Sequence, residues 1–298
     1  MSMRIGKNKE KLKPLKFFRK KIMSFLLKFS LFFFFLIFNV SHSFSAEKQE
    51  KLLKQSWSFD GFFGKFDRAS LQRGYQVYTE VCASCHSMNL LSYRNLSEVG
   101  GPSFSEEEVK VIASKVEVLD GPNDSGEMFK RPGKPSDKFA SPFANEKAAR
   151  AANGGAYPPD MSVLVKARAG GPDYIYSILM GYTDKPPKEV KLDDGVYYNK
   201  YMPGNKIKMS KPLNQDSVKY SDGTPATEEQ LSKDVVTFLT WASEPHLEAR
   251  KRIGFKTVVY LLILTVLVYL VKKKIWLRIE PKVQNISISH FIIFSFYL

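Results

Sequence analysis

Cysteine is nearly absent from this chain, with two residues in 298, and histidine is scarce at four. A structural zinc site ordinarily takes four nitrogen or sulfur ligands, and only His86 lies near the cysteine pair. No internal repeat is present. Net charge is missing from the middle of the chain. The formal +15 comes from the two ends, with +9 in residues 1–46 and +7 in residues 251–298, while residues 47–250 hold 27 basic against 28 acidic side chains. The inference from a high isoelectric point to nucleic-acid binding therefore fails, and no nucleic-acid partner is expected.

The two cysteines stand in Val81-Cys82-Ala83-Ser84-Cys85-His86. CxxCH is the pattern of covalent c-type haem attachment. Its thiols add across porphyrin vinyl groups, and the adjacent imidazole binds iron from one side. A redox-active dithiol is the competing reading, but it wants a lowered thiol pKa and a strand-to-helix setting. The residues ahead of Cys82 read as helix instead. Leu71, Tyr75, Tyr78 and Cys82 recur at three- or four-residue steps, which predicts a helix from about Arg68 to Cys85. Within it Gly74 lowers helix propensity and permits close approach of another helix.

Location agrees with export. Residues 1–28 carry ten Lys or Arg and one acidic residue, and Phe29 to Val40 is apolar. Small residues follow up to Ala46. This is the pattern of a secretory signal over 1–46, with cleavage after Ser45 or Ala46, or of a retained membrane helix. A second apolar run, residues 253–271, is broken only by Lys256 and followed by Lys272, Lys273 and Lys274. Its length is that of one bilayer crossing, and Lys256 can snorkel to the headgroups. A buried core helix is the alternative. Residues 47–250 are expected outside, and 272–298 on the cytoplasmic or matrix side.

The exported stretch is long enough for one substantial core. Residues 97–142 are loop-rich, with a short helix expected over 106–113 and turns at Gly121-Pro122 and Arg131-Pro132-Gly133. Residues 186–214 read as a long excursion, either a docking surface or disorder. Thr227 and Gln230 form a capping-box pattern ahead of a stripe of Leu231, Val235, Phe238, Trp241 and Ala242. That helix is expected to cross the CxxCH helix and lead through Pro245 into the span. The fold class is mainly α: a cytochrome c-like exported haem domain with long loop insertions, plus one C-terminal transmembrane helix.

A second strong iron ligand separates electron carriers from ligand-binding haems, and a thioether raises the potential. His42 and His290 fall outside the exported part, and His246 sits beside Pro245. The exported candidates are thus mainly Met88, Met128, Met161, Met180, Met202 and Met209. Met88 is too near His86 to reach the opposite face. Position favours Met202 or Met209, and spacing does not choose between them; methionine is also ordinary core filler.

Several blocks resemble the cytochrome c1 family of bc1 complexes, alphaproteobacterial or mitochondrial in type. They are Trp57-Ser58-Phe59-Asp60-Gly61, Arg73-Gly74-Tyr75-Gln76-Val77-Tyr78, the CxxCH block through Met88, Tyr93-Arg94-Asn95-Leu96, Pro158-Pro159-Asp160-Met161-Ser162, Arg168-Ala169-Gly170-Gly171, Ile207-Lys208-Met209 and Trp241-Ala242-Ser243-Glu244-Pro245. The resemblance covers about residues 50–283. It implies one covalent haem c on Cys82 and Cys85, with His86 and Met209 as iron ligands. Arg168 is implied to bond a haem propionate, which suits its charged fork, and Asn153 and Tyr174 are implied to lie near the haem.

By the same resemblance the chain is a non-catalytic electron-transfer subunit of a quinol:cytochrome c oxidoreductase. It would accept one electron from the Rieske iron-sulfur protein and pass it to cytochrome c, with cytochrome b around the anchor. It would sit in a bacterial inner membrane as a single-pass subunit of a larger complex, its haem domain in the periplasm. Glu106, Glu107 and Glu108 would steer a basic cytochrome c or form a solvated helix face. A membrane-anchored shuttle cytochrome, or a haem subunit serving a dehydrogenase or peroxidase, would share the motif. The chain departs from the family in its tail, where Ile286 to Leu298 is an added apolar end.

Overall fold

The computed structural model describes residues 50–188 and 190–279. The expected leader, His42, the 286–298 tail and His290 lie outside the described residues. The described part is mainly helical, with two small antiparallel ladders.

Helix α1 (Arg68–Glu80) starts at Asp67, whose side chain accepts from the Ala69 amide, as an N-cap aspartate should. It ends before the expected Cys85. A separate 3-10 turn, Cys82–Ser84, takes over after Val81, so the cysteines lie on a tighter coil than the helix carrying Tyr75 and Tyr78. Helix α2 (Glu106–Ser114) has a true capping box. The Glu108 amide donates to Ser105 Oγ, and the Ser105 amide donates to the Glu108 carboxylate. Glu106 and Glu107 complete an acidic first turn, which the helix dipole favours. The acidic run thus has a local structural role.

Residues 117–132 fall in the stretch expected to be loop-rich, yet β1 (Glu117–Asp120) pairs with β2 (Phe129–Pro132) in register Glu117 to Pro132. Two further helices were also unanticipated: α3 (Glu146–Ala152), capped by Asn145, and α4 (Gly171–Met180), opened by Gly-Pro. In the long excursion β3 (Tyr197–Tyr198) pairs with β4 (Lys206–Ile207) around a short 3-10 turn. That segment is ordered by buried bonds. Asn199, fully buried, donates to the Ile178 carbonyl and accepts from the Tyr201 and Met202 amides.

Helix α5 (Glu228–Ser243) buries the whole expected stripe, with Leu231, Val235, Phe238, Trp241 and Ala242 in the core. Thr227 accepts from the Gln230 amide, but the Gln230 side chain reaches forward to Asp234 instead of closing the box. Helices α1 and α5 cross at Gly74. Tyr75 and Tyr78 each meet both Phe139 and Phe238 with ring centroids 5.7–6.3 Å apart, the separations aromatic pairs prefer. The crossing is also tied by charge. Fully buried Asp234 accepts from Ser70, Arg73 and Gln230, which meets the requirement that a buried carboxylate be paired and hydrogen-bonded.

Helix α6 (Leu247–Ile279) is 33 residues long, about 50 Å at 1.5 Å per residue. Its apolar portion has mean hydropathy 2.2 and is exposed along its length. A core helix would bury that surface; this one, the one helix of such length and apolarity among the described residues, presents it to lipid as a membrane-spanning anchor. Lys272 lies over the Trp276 ring at 5.4 Å, a pairing suited to the membrane–water boundary. At the other end Arg68 and the Phe66 amide bond the Glu248 carboxylate, so the anchor is stitched to the first helix of the domain.

Candidate cofactor site

The 3-10 turn determines how the motif is presented. Side chains three apart eclipse on such a turn, so Cys82 and Cys85 project to one side. The amides of Cys85 and His86 both donate to the Cys82 carbonyl, at 3.1 and 2.9 Å. Both cysteines are free thiols, partly exposed. Burial, with the neighbouring Cys85, pushes the Cys82 thiol up to about 12. A redox dithiol needs the opposite shift, and the motif follows a helix instead of opening one. Neither condition of that alternative holds.

His86 is buried, and its Nδ1 lies 2.8 Å from the Pro159 carbonyl oxygen. A carbonyl only accepts, so Nδ1 carries the proton and Nε2 keeps its lone pair. This is the orientation a metal-ligating imidazole requires, with its second nitrogen held by a backbone acceptor. Burial holds the imidazole pKa below its ordinary value, with Pro159 and Asp160 pulling the other way. The ring is therefore neutral and a competent donor at neutral pH. Two free thiols on one side of a turn, followed by a fixed neutral imidazole, fit a covalently bound haem.

The segment opposite His86 is clamped by Asp160. Its carboxylate accepts from Ser87 Oγ, from the Asn89 amide and from the Ser162 amide, each at 2.8 Å. The Met161 amide donates to the Ser87 carbonyl at 2.8 Å. With the Leu90 amide donating to Ser162 Oγ at 3.0 Å, hydrogen bonds from Ser87 Oγ and from the Asn89, Leu90 and Met161 amides fix residues 160–162 against residues 87–90. Further back along the same segment, the Gly154 carbonyl accepts from Lys208 Nζ at 2.9 Å. One stretch of backbone touches both the histidine turn and the loop carrying Met209. A cavity beside Cys85 is lined by Ser87, Asn145, Ala149, Tyr157 and Pro158.

The methionines separate by environment. Met88 and Met161 are core residues, Met128 is exposed, and Met180 packs against the core. Met202 Sδ accepts from Tyr174 Oη at 3.7 Å. Met209 is partly buried, and its carbonyl accepts from Tyr182 Oη at 3.0 Å. Burial pushes the Tyr182 phenol well above its usual pKa, so it remains a donor. Asn153 caps α3, with its side-chain amide on the Ala149 carbonyl. Arg168 is exposed, and its guanidinium lies 3.2 Å from the Ala167 carbonyl. Its charge also opposes the rise that burial imposes on Tyr174, which places these two side chains in one neighbourhood.

Tyr174 owes its position to a carboxylate that sequence reasoning did not single out. Asp173 accepts from Trp57 Nε1 at 2.9 Å, from Lys54 Nζ at 2.8 Å and from the Gln55 amide at 3.2 Å. These bonds lock the N-terminal segment onto α4. Against the upward push of burial they hold the Asp173 carboxyl below its usual range. Asp160, Asp173, Tyr182 and Asn199 were missed as positioning groups, whereas the Pro158-Pro159 pair reads in the sequence either as fixing the backbone where it passes the pocket or as a stiff loop.

The family model described as "Cytochrome C1 family" matches residues 57–279. "Cytochrome c1 1, heme protein, mitochondrial" of Arabidopsis thaliana is 55% identical over 215 residues, covering 71% of this chain and 69% of that protein. "Cytochrome c1" of Rhodospirillum rubrum is 48% identical over 240 residues, covering 76% and 87%. "Cytochrome b/c1" of Bradyrhizobium diazoefficiens is 52% identical over 248 residues, the match covering 77% of this chain and 36% of that longer protein, so this chain spans about a third of it.

Proposed function

Because the chain belongs to the cytochrome c1 family, we propose that it carries single electrons in a bc1 complex, from the Rieske iron-sulfur protein to cytochrome c during quinol oxidation. It is a non-catalytic subunit, held in the inner membrane by one span with its haem domain on the periplasmic side. The chain divides into a leader over 1–46, an exported haem domain over 47–250, a span over 253–271 and an inner tail over 272–298. One haem c is attached through Cys82 and Cys85. Cytochrome b packs against one side of the anchor, and the rest of its surface faces lipid.

The observation that carries this reading is the bond from His86 Nδ1 to the Pro159 carbonyl, directly after two thiols on one turn. A bound haem supplies reversible one-electron chemistry at iron. The protein's part would be to hold the iron with His86, through Nε2, and Met209, which would close it to outside ligands. Met202 is less suited, because its sulfur already receives the Tyr174 hydroxyl. Arg168 offers a charged fork to a propionate, with Asn153 and Tyr174 as polar neighbours. No group has to move a proton for outer-sphere transfer.

Magnetic circular dichroism of the purified holoprotein tests the ligand set. The ferric protein should show the near-infrared band of His/Met ligation. Met209→Leu should lose it while keeping its covalent haem, and Met202→Leu should keep it. Retention of the band in Met209→Leu would transfer the role to another methionine. A haemochrome assay should return one haem per chain, and cytochrome b should co-purify.

A further inference from the structure

The loop of residues 59–64 reaches the anchor. Lys251, on α6 just above the apolar run, directs its ammonium group to three carbonyls of this loop: Phe59 and Gly61 at 2.6 Å and Gly64 at 3.3 Å. Three acceptors match the three donors of a lysine. Backbone bonds from Asp60 to the Trp57 carbonyl and from Lys65 to the Ser58 carbonyl close the loop on itself. It is also tightly packed, since a β-carbon at Gly64 would lie 1.9 Å from the Asp60 carbonyl oxygen. The loop is a rigid bracket fastened to the first turns of α6.

Its tip is apolar and uncovered. Phe62 and Phe63 are 53% and 76% exposed, whereas Trp57, Phe59 and Phe66 on either side are buried in the core. The two rings meet each other at 5.0 Å and meet Phe255 of α6 at 6.0 and 5.9 Å. Phe255 lies one turn beyond Lys251, about 6 Å further along the helix, and inside the apolar run 253–271. Arg250, Arg252 and Lys256 are exposed on the same turns. Three aromatic rings therefore stand at the depth where the span begins, beside cations that suit anionic headgroups.

We propose that Phe62 and Phe63 insert into the bilayer interface as a second membrane contact, setting the tilt of the haem domain against the lipid surface. The occupant is lipid, because the patch is continuous with the lipid-facing surface of α6 and lies level with its first apolar turn. Aromatic side chains with basic neighbours are the usual composition of such interfacial contacts. The inference rests on the membrane reading of α6, and the experiment separates the two.

The test places a nitroxide at Phe63→Cys in the haem-loaded full chain, assembled in its complex in vesicles containing anionic phospholipid. Collision with oxygen, which concentrates in lipid, is compared with collision with a water-soluble nickel chelate. Tyr260→Cys in the middle of α6 and Glu107→Cys on exposed α2 give the lipid and water references. The oxygen-to-nickel ratio at residue 63 should exceed that at residue 107 several-fold and approach that at 260. A ratio like that of residue 107 overturns the proposal, as does low collision with both reagents, which would mean a protein neighbour covers the loop. A water-like ratio at 260 would instead overturn the span itself. The label at Phe62→Cys repeats the reading on the adjacent ring.

Discussion

Gly74 lies so close to the backbone of Asp234 that a β-carbon added to it would come within 2.1 Å of the Asp234 carbonyl oxygen and 2.7 Å of the Phe238 β-carbon. The obstruction is backbone, which cannot swing aside. Gly74→Ala must push α1 and α5 apart, even though alanine is the better helix former. Overpacking of this kind costs about 1–3 kcal/mol. The expected outcome is a lower unfolding midpoint in calorimetry of the holoprotein, and unchanged stability would mean that the crossing tolerates separation.

Asn199→Ala removes three hydrogen bonds inside a fully buried site. At about 1 kcal/mol for each bond, the variant should lose roughly 3 kcal/mol in denaturant unfolding. The Ile178 carbonyl and the Tyr201 and Met202 amides would be left without their partner. Loss should be accompanied by faster amide exchange at Tyr201 and Met202, which a general weakening of the core would not single out.

Tyr182→Phe deletes the hydroxyl that holds the Met209 carbonyl and leaves the ring in place. Global stability should fall by about 1 kcal/mol. The sharper readout is local. With its loop less firmly held, Met209 should yield the iron more readily, so cyanide should bind the ferric variant faster than the wild type. An unchanged cyanide rate would show that the bond does not govern the methionine loop.

Asp137 is held down to about 2 by the Arg131 guanidinium, against the upward push of burial and with the Lys134 amide adding to the fall. Its folded pKa is depressed, so its contribution is present above the ordinary carboxylate pKa near 3.8 and is lost as pH falls towards 2. Asp137→Asn should flatten the acid limb of the stability curve in that window and leave the neutral region with a constant offset. The comparison needs thermal unfolding at several pH values below 5. Arg131 also pairs with Asp120 across the hairpin, so β1 and β2 should remain joined to each other.

What could be read in the sequence follows from where the physics is local. The CxxCH spacing, the α5 stripe and the length of the span are each written in consecutive residues. Gly74 is a further case, because an unfavourable glycine inside a helical pattern demands a packing reason, and Asp234 supplies it. The hairpin 117–132 was invisible because its strands are four residues long and mostly exposed, which leaves no apolar alternation to detect. Helix α4 opens with glycines and a proline that read as a turn. The buried carboxylates gave no sign either. Asp173 meets Trp57 across 116 positions and Asp234 meets Arg73 across 161, so their partners exist only once the chain has folded. The choice of Met209 likewise came from resemblance, since spacing had left it level with Met202.

Only Glu244, Pro245 and His246 separate α5 from α6, and even these are engaged: the Glu244 amide bonds the Thr240 and Trp241 carbonyls, the Leu247 amide bonds the Glu244 carbonyl, and Arg250 pairs with the Glu244 carboxylate. A tethered redox domain explores a volume set by the length and softness of its leash, and here the leash has no slack. The domain is a fixed post in the membrane. Any long displacement along the electron's route therefore has to be made by the molecules that visit it.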